Sequence, residues 1–191
     1  IDGSRVFVLG HSQGGMLASR IASRWPQARG AVLWAAPSRG LLDLLPEQNR
    51  YLFQLDGTIS AEEQAFLDAL DRQIAAARGD AAVAASELPL GVPQGFWKSI
   101  EAVDARADAK ALRKPLLMLH GGRDFQVPDT DWMLWQQALQ GREDVQWKSY
   151  PALNHIGIAG DGPGSLKEYA QPGQVDARLV GDVASWVESQ R

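Results

Sequence analysis

Residues 6–15 read Val-Phe-Val-Leu-Gly-His-Ser-Gln-Gly-Gly, and this stretch constrains the fold more than any other. A short apolar run passes into a Gly-x-Ser-x-Gly turn, and a helical pattern follows. Leu17, Ile21 and Trp25 recur at i, i+4 and i+8 before Pro26 stops the helix. A serine at such a strand-to-helix reversal is held in a strained conformation, with its hydroxyl lifted above the sheet. Gly10 and Gly14 are expected to remove side chains that would collide in the reversal, and Gly15 to let the helix start pack closely. The backbone N–H of Gln13 then lies near the positive end of the helix dipole, where an oxyanion would form. The alternative is a plain glycine-rich turn. The choice depends on whether the chain also supplies a base and an acid.

The strand–helix alternation continues. Arg5–Leu9 reads as a buried strand, the helix runs from Gln13 to about Trp25, and Ala31–Ala35 is a second strand closed by Pro37. Further on, Pro115–Leu119 is a strand with Gly121-Gly-Arg-Asp124 as its exit loop. A helix over Trp132–Leu139 ends at Gly141, and the strand Val145–Tyr150 leads to a loop carrying Asn154 and His155. Val175, Leu179, Val183 and Trp186 put an apolar stripe on a last helix. Strands separated by helices give the α/β class: a parallel sheet with right-handed crossovers.

Residues 39–108 break the rhythm and read as a mostly helical insertion, which leaves 1–38 and 109–191 as the core. Ser60-Ala-Glu-Glu63 has the form of a capping box. Phe66, Leu70 and Ile74 mark one face of the helix behind it, and Gly79 is placed to end that helix in the left-handed conformation. A loop-rich passage through Pro89, Gly91, Pro93 and Gly95 then leads to Phe96, Trp97 and Ile100.

Bulk properties exclude several classes. The 191 residues suit one domain of ordinary size, and the net charge of −4 is spread without a long block of either sign, so neither nucleic acid nor an anionic membrane is implied as a partner. With no cysteine, there is no disulfide, thiolate metal site or cysteine nucleophile. No HExxH pattern, clustered ligand spacing or phosphate-binding glycine–lysine loop occurs, so no metal and no cofactor is expected. No run approaches the ~18 apolar residues of a membrane span. The chain starts at Ile1 and enters a strand within a few residues, which reads as the C-terminal part of a longer protein. Compartment and oligomeric state stay open.

A serine hydroxyl needs a base. Of the three histidines, His11 adjoins Ser12, is expected to point away from it, and reads as structural. His120 ends its strand ahead of the acid. A strand–elbow–helix site takes its partners in the order Ser, acid, His, and only His155 follows late enough, on the loop after the last strand. The acid belongs at the carboxyl end of a strand, where ligands of open α/β sheets bind. Asp124 meets this condition, whereas Asp129 and Asp131 start the next helix and are explained by capping and dipole compensation. Asp43 trails too far behind its strand. The candidate catalytic residues are therefore Ser12 as nucleophile, His155 as base and Asp124 as the group that orients it, with the Gln13 amide as oxyanion donor.

At these residues the chain resembles the α/β-hydrolase superfamily. Gly10-His-Ser-Gln-Gly-Gly15 is similar to its nucleophile elbow, the stretch from Leu116 to Pro128 to its acid loop, and Tyr150-Pro-Ala-Leu-Asn-His155 to its histidine loop. The wording is similar to that of bacterial EstD-like serine carboxylesterases, within the serine-aminopeptidase-like hydrolase group. The resemblance implies a serine esterase with a cap between the sixth and seventh strands and a small-molecule ester as substrate. It also implies four strands before the elbow that this sequence does not contain, and a second oxyanion donor from that region. On that basis the isolated chain is expected to be weakly active or inactive, with an exposed hydrophobic edge at its first strand.

The apolar side chains of the insertion, Phe96 and Trp97 in particular, are candidates for lining an acyl pocket. Packing of the insertion itself is the competing role. A peptidase is the rival enzyme, but the adjacent acidic pair Glu62-Glu63 is already explained by the capping box. A non-catalytic binding protein on the same scaffold is the third reading, and no broken position favours it.

Overall fold

The computed structural model describes residues 3–190. Four strands, β1 (Val6–His11), β2 (Ala28–Trp34), β3 (Leu116–Gly121) and β4 (Val145–Tyr150), form one sheet. All are parallel and lie side by side in chain order. The helices are α1 (Gln13–Arg24), α2 (Leu41–Phe53), α3 (Ala61–Arg78), α4 (Gln94–Glu101), α5 (Ala105–Ala111), α6 (Asp129–Ala138), α7 (Leu166–Tyr169) and α8 (Ala177–Ser189). The chain divides into two compact units, one running to Ser38 and resuming at Ala105, the other spanning Arg39–Asp104.

In the first unit the sequence of each strand fixes its place in the sheet. β3 (LLMLHG) is buried throughout, and β2 is buried except at Arg29, as expected of central strands covered on both faces. β4 carries Gln146, Lys148 and Ser149 exposed between buried Val145 and Tyr150, which suits an edge. β1 is the other edge among the described residues, and Leu9 on it is 56% exposed.

One face of the sheet presents Val32, Trp34, Leu117 and Leu119 to Leu179 and Trp186 of α8. Phe7 packs edge-on to Trp186, with ring centroids 5.5 Å apart. The other face sets Leu33 and Met118 beside Trp132 and Trp135 of α6. The end of α1 is closed by Lys114, whose ammonium donates to the carbonyls of Ala22 at 2.8 Å and Trp25 at 2.7 Å.

Several local expectations change. β2 begins at Ala28 rather than Ala31, and α6 begins at Asp129 rather than Trp132. Val175 precedes α8 and is half exposed, so the buried stripe of that helix rests on Leu179 and Trp186. The segment 105–108 begins α5, which packs against α1 with an Arg20–Asp108 ion pair of 2.7 Å, so it belongs to the core unit and not to the insertion.

The second unit is built on α2, α3 and α4. Ser60 and Glu63 form the capping box: the Glu63 amide donates to Ser60 Oγ at 3.2 Å, and the Ser60 amide to Glu63 Oε2 at 2.8 Å. The buried face of α3 is Leu67, Leu70, Ile74 and Ala77. Phe66 is turned half outward, edge-on to Phe53. Gly79 ends α3 in an extended conformation (φ −70°), not a left-handed one, and its amide still reaches the carbonyls of Ala75 and Ala76. Arg78 links the three helices by donating to Asp43 at 2.6 Å and Glu101 at 2.9 Å. No helix among the described residues is long and apolar enough to cross a membrane.

Trp186 is 3% exposed and fills the space between α8 and the sheet. Trp186→Ala is expected to lower stability by about 3–5 kcal/mol in urea unfolding, the usual cost of a large cavity left by a buried aromatic ring.

Candidate active site

Ser12 follows the last residue of β1 and precedes the first of α1. Its amide donates to the Trp34 carbonyl at 3.0 Å, which extends the β1–β2 ladder by one rung, and its own carbonyl accepts from Met16 at 3.0 Å. Ladder and helix therefore hold the residue from both sides. Between them its backbone stands at φ 55°, ψ −125°, a region that a residue with a side chain rarely enters. Such strain costs of the order of 1–3 kcal/mol and persists only where the surroundings enforce it.

The glycines divide the work differently from expectation. A side chain at Gly10 would collide with the backbone of Gly14 and Gly15, and one at Gly15 would lie 2.7 Å from the Ala36 Cβ. Gly14 faces open space. The reversal folds Gly10 onto the main chain of Gly14, so Gly10 and Gly15 are the positions that admit no side chain. Gln13 opens α1, and its N–H is among the first-turn amides that no carbonyl four residues earlier can serve.

Asp124 lies three residues beyond β3, in a loop closed by three main-chain bonds: Gly122 N to the Tyr150 carbonyl (2.9 Å), Arg123 N to that of Leu153 (2.9 Å) and Asp124 N to that of Gly121 (3.0 Å). Its carboxylate is divided between two tasks. Oδ1 accepts from the amides of Gln126 and Val127, both at 2.9 Å, which fixes the rotamer. Oδ2 lies 2.8 Å from Nδ1 of His155. Asp124 is thus both a turn aspartate and a partner of His155, and Arg123 is directed elsewhere. The His155 side chain is 5% exposed and that of Asp124 is fully covered, so the pair is shielded from water. With Nδ1 bound to the carboxylate, Nε2 is the ring nitrogen left to exchange a proton with a hydroxyl.

The other two histidines occupy their own places. Nε2 of His120 lies 2.8 Å from Asp129 Oδ1, and its ring stacks on Trp132 at 5.1 Å. Asp131 is wholly buried and accepts from both the amide and the hydroxyl of Ser38, at 2.8 and 2.9 Å. Both aspartates stand in the first turn of α6, Asp129 tying it to β3 and Asp131 to the segment that follows β2. Trp135 adds a third tie, donating to the Ala36 carbonyl at 2.7 Å. Among the described residues no group of three or more acidic or histidine side chains is arranged to hold a metal ion.

His11 stands closer to the candidate base than its sequence position implies. Its Nε2 is 2.8 Å from the His155 carbonyl, and the two rings are 4.7 Å apart. Burial lowers its pKa from the usual histidine value; the bond to the His155 carbonyl opposes this, and the neighbouring His155 ring adds to it. The signal lies in the topology, since the carboxyl ends of parallel strands lie at one end of the sheet, where His11 ends β1 and the His155 loop leaves β4.

Phe96 and Trp97 lie in the second unit, on α4, with ring centroids 5.2 Å apart. Trp97 is 2% exposed and its indole N–H has no hydrogen-bond partner among the described residues; Phe96 is 38% exposed.

The family model "Serine aminopeptidase, S33" matches residues 2–158, the range that holds Ser12, Asp124 and His155. The chain belongs to this family. It is 36% identical over 187 residues to Esterase EstD of Thermotoga maritima, covering 97% of this chain and 43% of that protein. It is 29% identical over 189 residues to a monoacylglycerol lipase of Mycolicibacterium smegmatis, covering 95% of this chain and 61% of that one. The chain therefore spans only about half the length of the curated relatives it matches. Among solved structures, BpoC of Mycobacterium tuberculosis H37Rv superposes with a TM-score of 0.51 at 14% identity, over 96% of this chain and 66% of that one, which shows the α/β-hydrolase fold. In this member of the S33 family the parallel sheet and its flanking helices are the fold's core.

Because the folded pKa of His11 is lowered, the unfolded chain binds a proton there more readily. His11 is therefore expected to cost stability as pH falls from about 6.5 through its folded value, and to be neutral in effect above that. Imidazole NMR titration checks the shift. Comparing the pH dependence of unfolding with that of His11→Gln checks the linkage, since the variant should lose that part of the slope.

Proposed function

We propose that the chain provides the catalytic residues of a serine hydrolase that cleaves carboxylic esters of small to medium acyl chains. The observation that carries the reading is the shielded His155–Asp124 hydrogen bond of 2.8 Å, formed between two loops that leave neighbouring strands. A histidine oriented in this way is suited to activate the hydroxyl of Ser12, which stands on a strained turn past a third strand.

Ser12 Oγ attacks the acyl carbon while Nε2 of His155 takes its proton. The negative charge that collects on the carbonyl oxygen faces the Gln13 amide at the start of α1. The tetrahedral intermediate collapses as His155 returns the proton to the leaving alkoxide, which departs as the alcohol. Water then attacks the acyl-Ser12 ester by the same route in reverse, releasing the acid and restoring the hydroxyl. Asp124 holds the imidazole in the required tautomer and offsets its transient charge without taking the proton. Esterase EstD and the monoacylglycerol lipase, similar along nearly all of this chain, support ester chemistry.

Peptide or aminoacyl amide cleavage is the second reading, favoured by the family description. The carboxylate of Glu63, half of the adjacent acidic pair Glu62-Glu63, is already engaged in the capping box of α3. A substrate amine would have to displace it.

The test uses the full-length product of the reading frame, comparing p-nitrophenyl butyrate with an aminoacyl p-nitroanilide. Ester turnover is expected to dominate and to fall by roughly 10⁴-fold or more in Ser12→Ala. Dominant amide turnover would favour the peptidase reading, and a Ser12→Ala variant as active as the parent would remove the mechanism.

The acyl pocket is tested separately with esters of increasing chain length. Phe96→Ala and Trp97→Phe are expected to shift the preferred length. An unchanged profile would assign both rings to packing of the second unit.

A further inference from the structure

Arg123 and Asn154 each stand one residue before a member of the proposed catalytic pair, and both reach the same carboxylate. Arg123 Nη1 donates to Glu168 Oε2 at 3.0 Å and Nη2 to Oε1 at 2.6 Å, a two-pronged pair. Asn154 Nδ2 donates to Oε2 of the same residue at 3.0 Å. One oxygen therefore bridges the loop that carries Asp124 and the loop that carries His155.

The surroundings fix each partner further. The guanidinium also donates from Nε to the Gly162 carbonyl at 2.7 Å and from Nη2 to that of Asp161 at 3.0 Å. A side chain at Gly160 would collide with the guanidinium, and one at Gly164 with the Arg123 carbonyl, so residues 160–168 wrap closely around Arg123. Asn154 is 1% exposed, and its Oδ1 accepts from the amides of Ile156 and Ile158 at 3.2 and 3.1 Å, which shapes the turn that presents His155. Tyr169, next to Glu168, accepts from Gln126 Nε2 at 2.9 Å and lies over Phe125 with ring centroids 6.1 Å apart, so the residues just past Asp124 are held from the same side.

We propose that Glu168 is a positioning residue: through Arg123 and Asn154 it locks the two loops so that the Asp124–His155 bond is already set before substrate arrives. This rests on the ester-hydrolase reading of Ser12, His155 and Asp124. Burial works to raise the Glu168 pKa, and the bonds from Arg123 and then Asn154 overcome it, leaving the carboxyl below its usual range. The clamp is accordingly charged at neutral pH. Its contribution to stability is complete above the ordinary glutamate value of about 4.3 and is lost as pH falls through the folded one.

The experiment again uses the full-length gene product, with Glu168→Gln, Glu168→Ala and Arg123→Lys, and with Lys167→Gln as a neighbouring control outside the network. Glutamine keeps the shape of glutamate but turns an NH₂ toward donors. Lysine keeps the charge but lacks the planar fork. Two readouts are taken: the low-field proton NMR signal of the His155 Nδ1–H, and kcat and KM on p-nitrophenyl butyrate.

In all three network variants the low-field signal is expected to broaden or vanish. The kcat should drop about 10–100-fold with KM changed less than about twofold, because a misplaced base slows chemistry more than it weakens ester binding. Lys167→Gln should match the parent. A sharp, unshifted signal with kcat within twofold of the parent in Glu168→Gln and Arg123→Lys would overturn the proposal, as would an equal loss in Lys167→Gln. If the parent has no ester turnover, the NMR signal still decides: its loss in the variants supports the clamp while the ester reading fails, and its persistence overturns the clamp.

Discussion

The hydrogen bond from the Ser12 amide to the Trp34 carbonyl is the constraint on which the rest of the candidate site depends. It is the last rung of a parallel ladder, and it holds the chain at the point where strand becomes helix. Release it, and only the bond from the Met16 amide still holds Ser12 at φ 55°. The ladder itself is secured by burial, since β2 and β3 are covered on both faces and cannot slip register without turning apolar side chains toward water. Core packing thus reaches the site through a single amide.

The same logic governs the partner loops. The turn that presents Asp124 is closed by backbone donors from Gly122 and Arg123 to the carbonyls of Tyr150 and Leu153, so the acid loop is sewn to the chain leaving β4. His155 then meets Asp124 because both loops leave adjacent parallel strands at the same edge of the sheet. Open α/β sheets gather their chemistry at the carboxyl ends of the strands for this reason. Here the polar side chains around the pair mainly serve to keep two loops still.

Much of this was legible in the sequence. The four strands, their parallel sense and the strand-to-helix reversal at Ser12 follow from periodicity and from the logic of strand ends. The failures were local and physical. The motif does not tell Gly14, which faces open space, from Gly10 and Gly15, because it shows where glycines stand but not which of them admits no side chain. The spacing of Phe66, Leu70 and Ile74 marks one face of α3, but a shift of one residue puts Leu67 in line with Leu70, Ile74 and Ala77 on the face that is buried. Asp129 and Asp131 do stand in the first turn of a helix, but their partners, His120 and Ser38, are distant in sequence and leave no local signal. Glu168 escaped notice for the same reason: its bonds to Arg123 and Asn154 span 45 and 14 residues, and only Ser165 three positions earlier hinted at a bound carboxylate.

The way the chain leaves and re-enters its core has an evolutionary consequence. The departure is pinned at Ser38 by buried Asp131, and the return is pinned by α5 against α1 through Arg20 and Asp108. Each anchor is made entirely by residues of the first unit. The stretch Arg39–Asp104 can therefore lengthen, shrink or be rebuilt by mutation while the strands that carry Ser12, Asp124 and His155 keep their register. A lineage built on this plan can remodel one segment of its chain while the sheet beside it goes on unaltered.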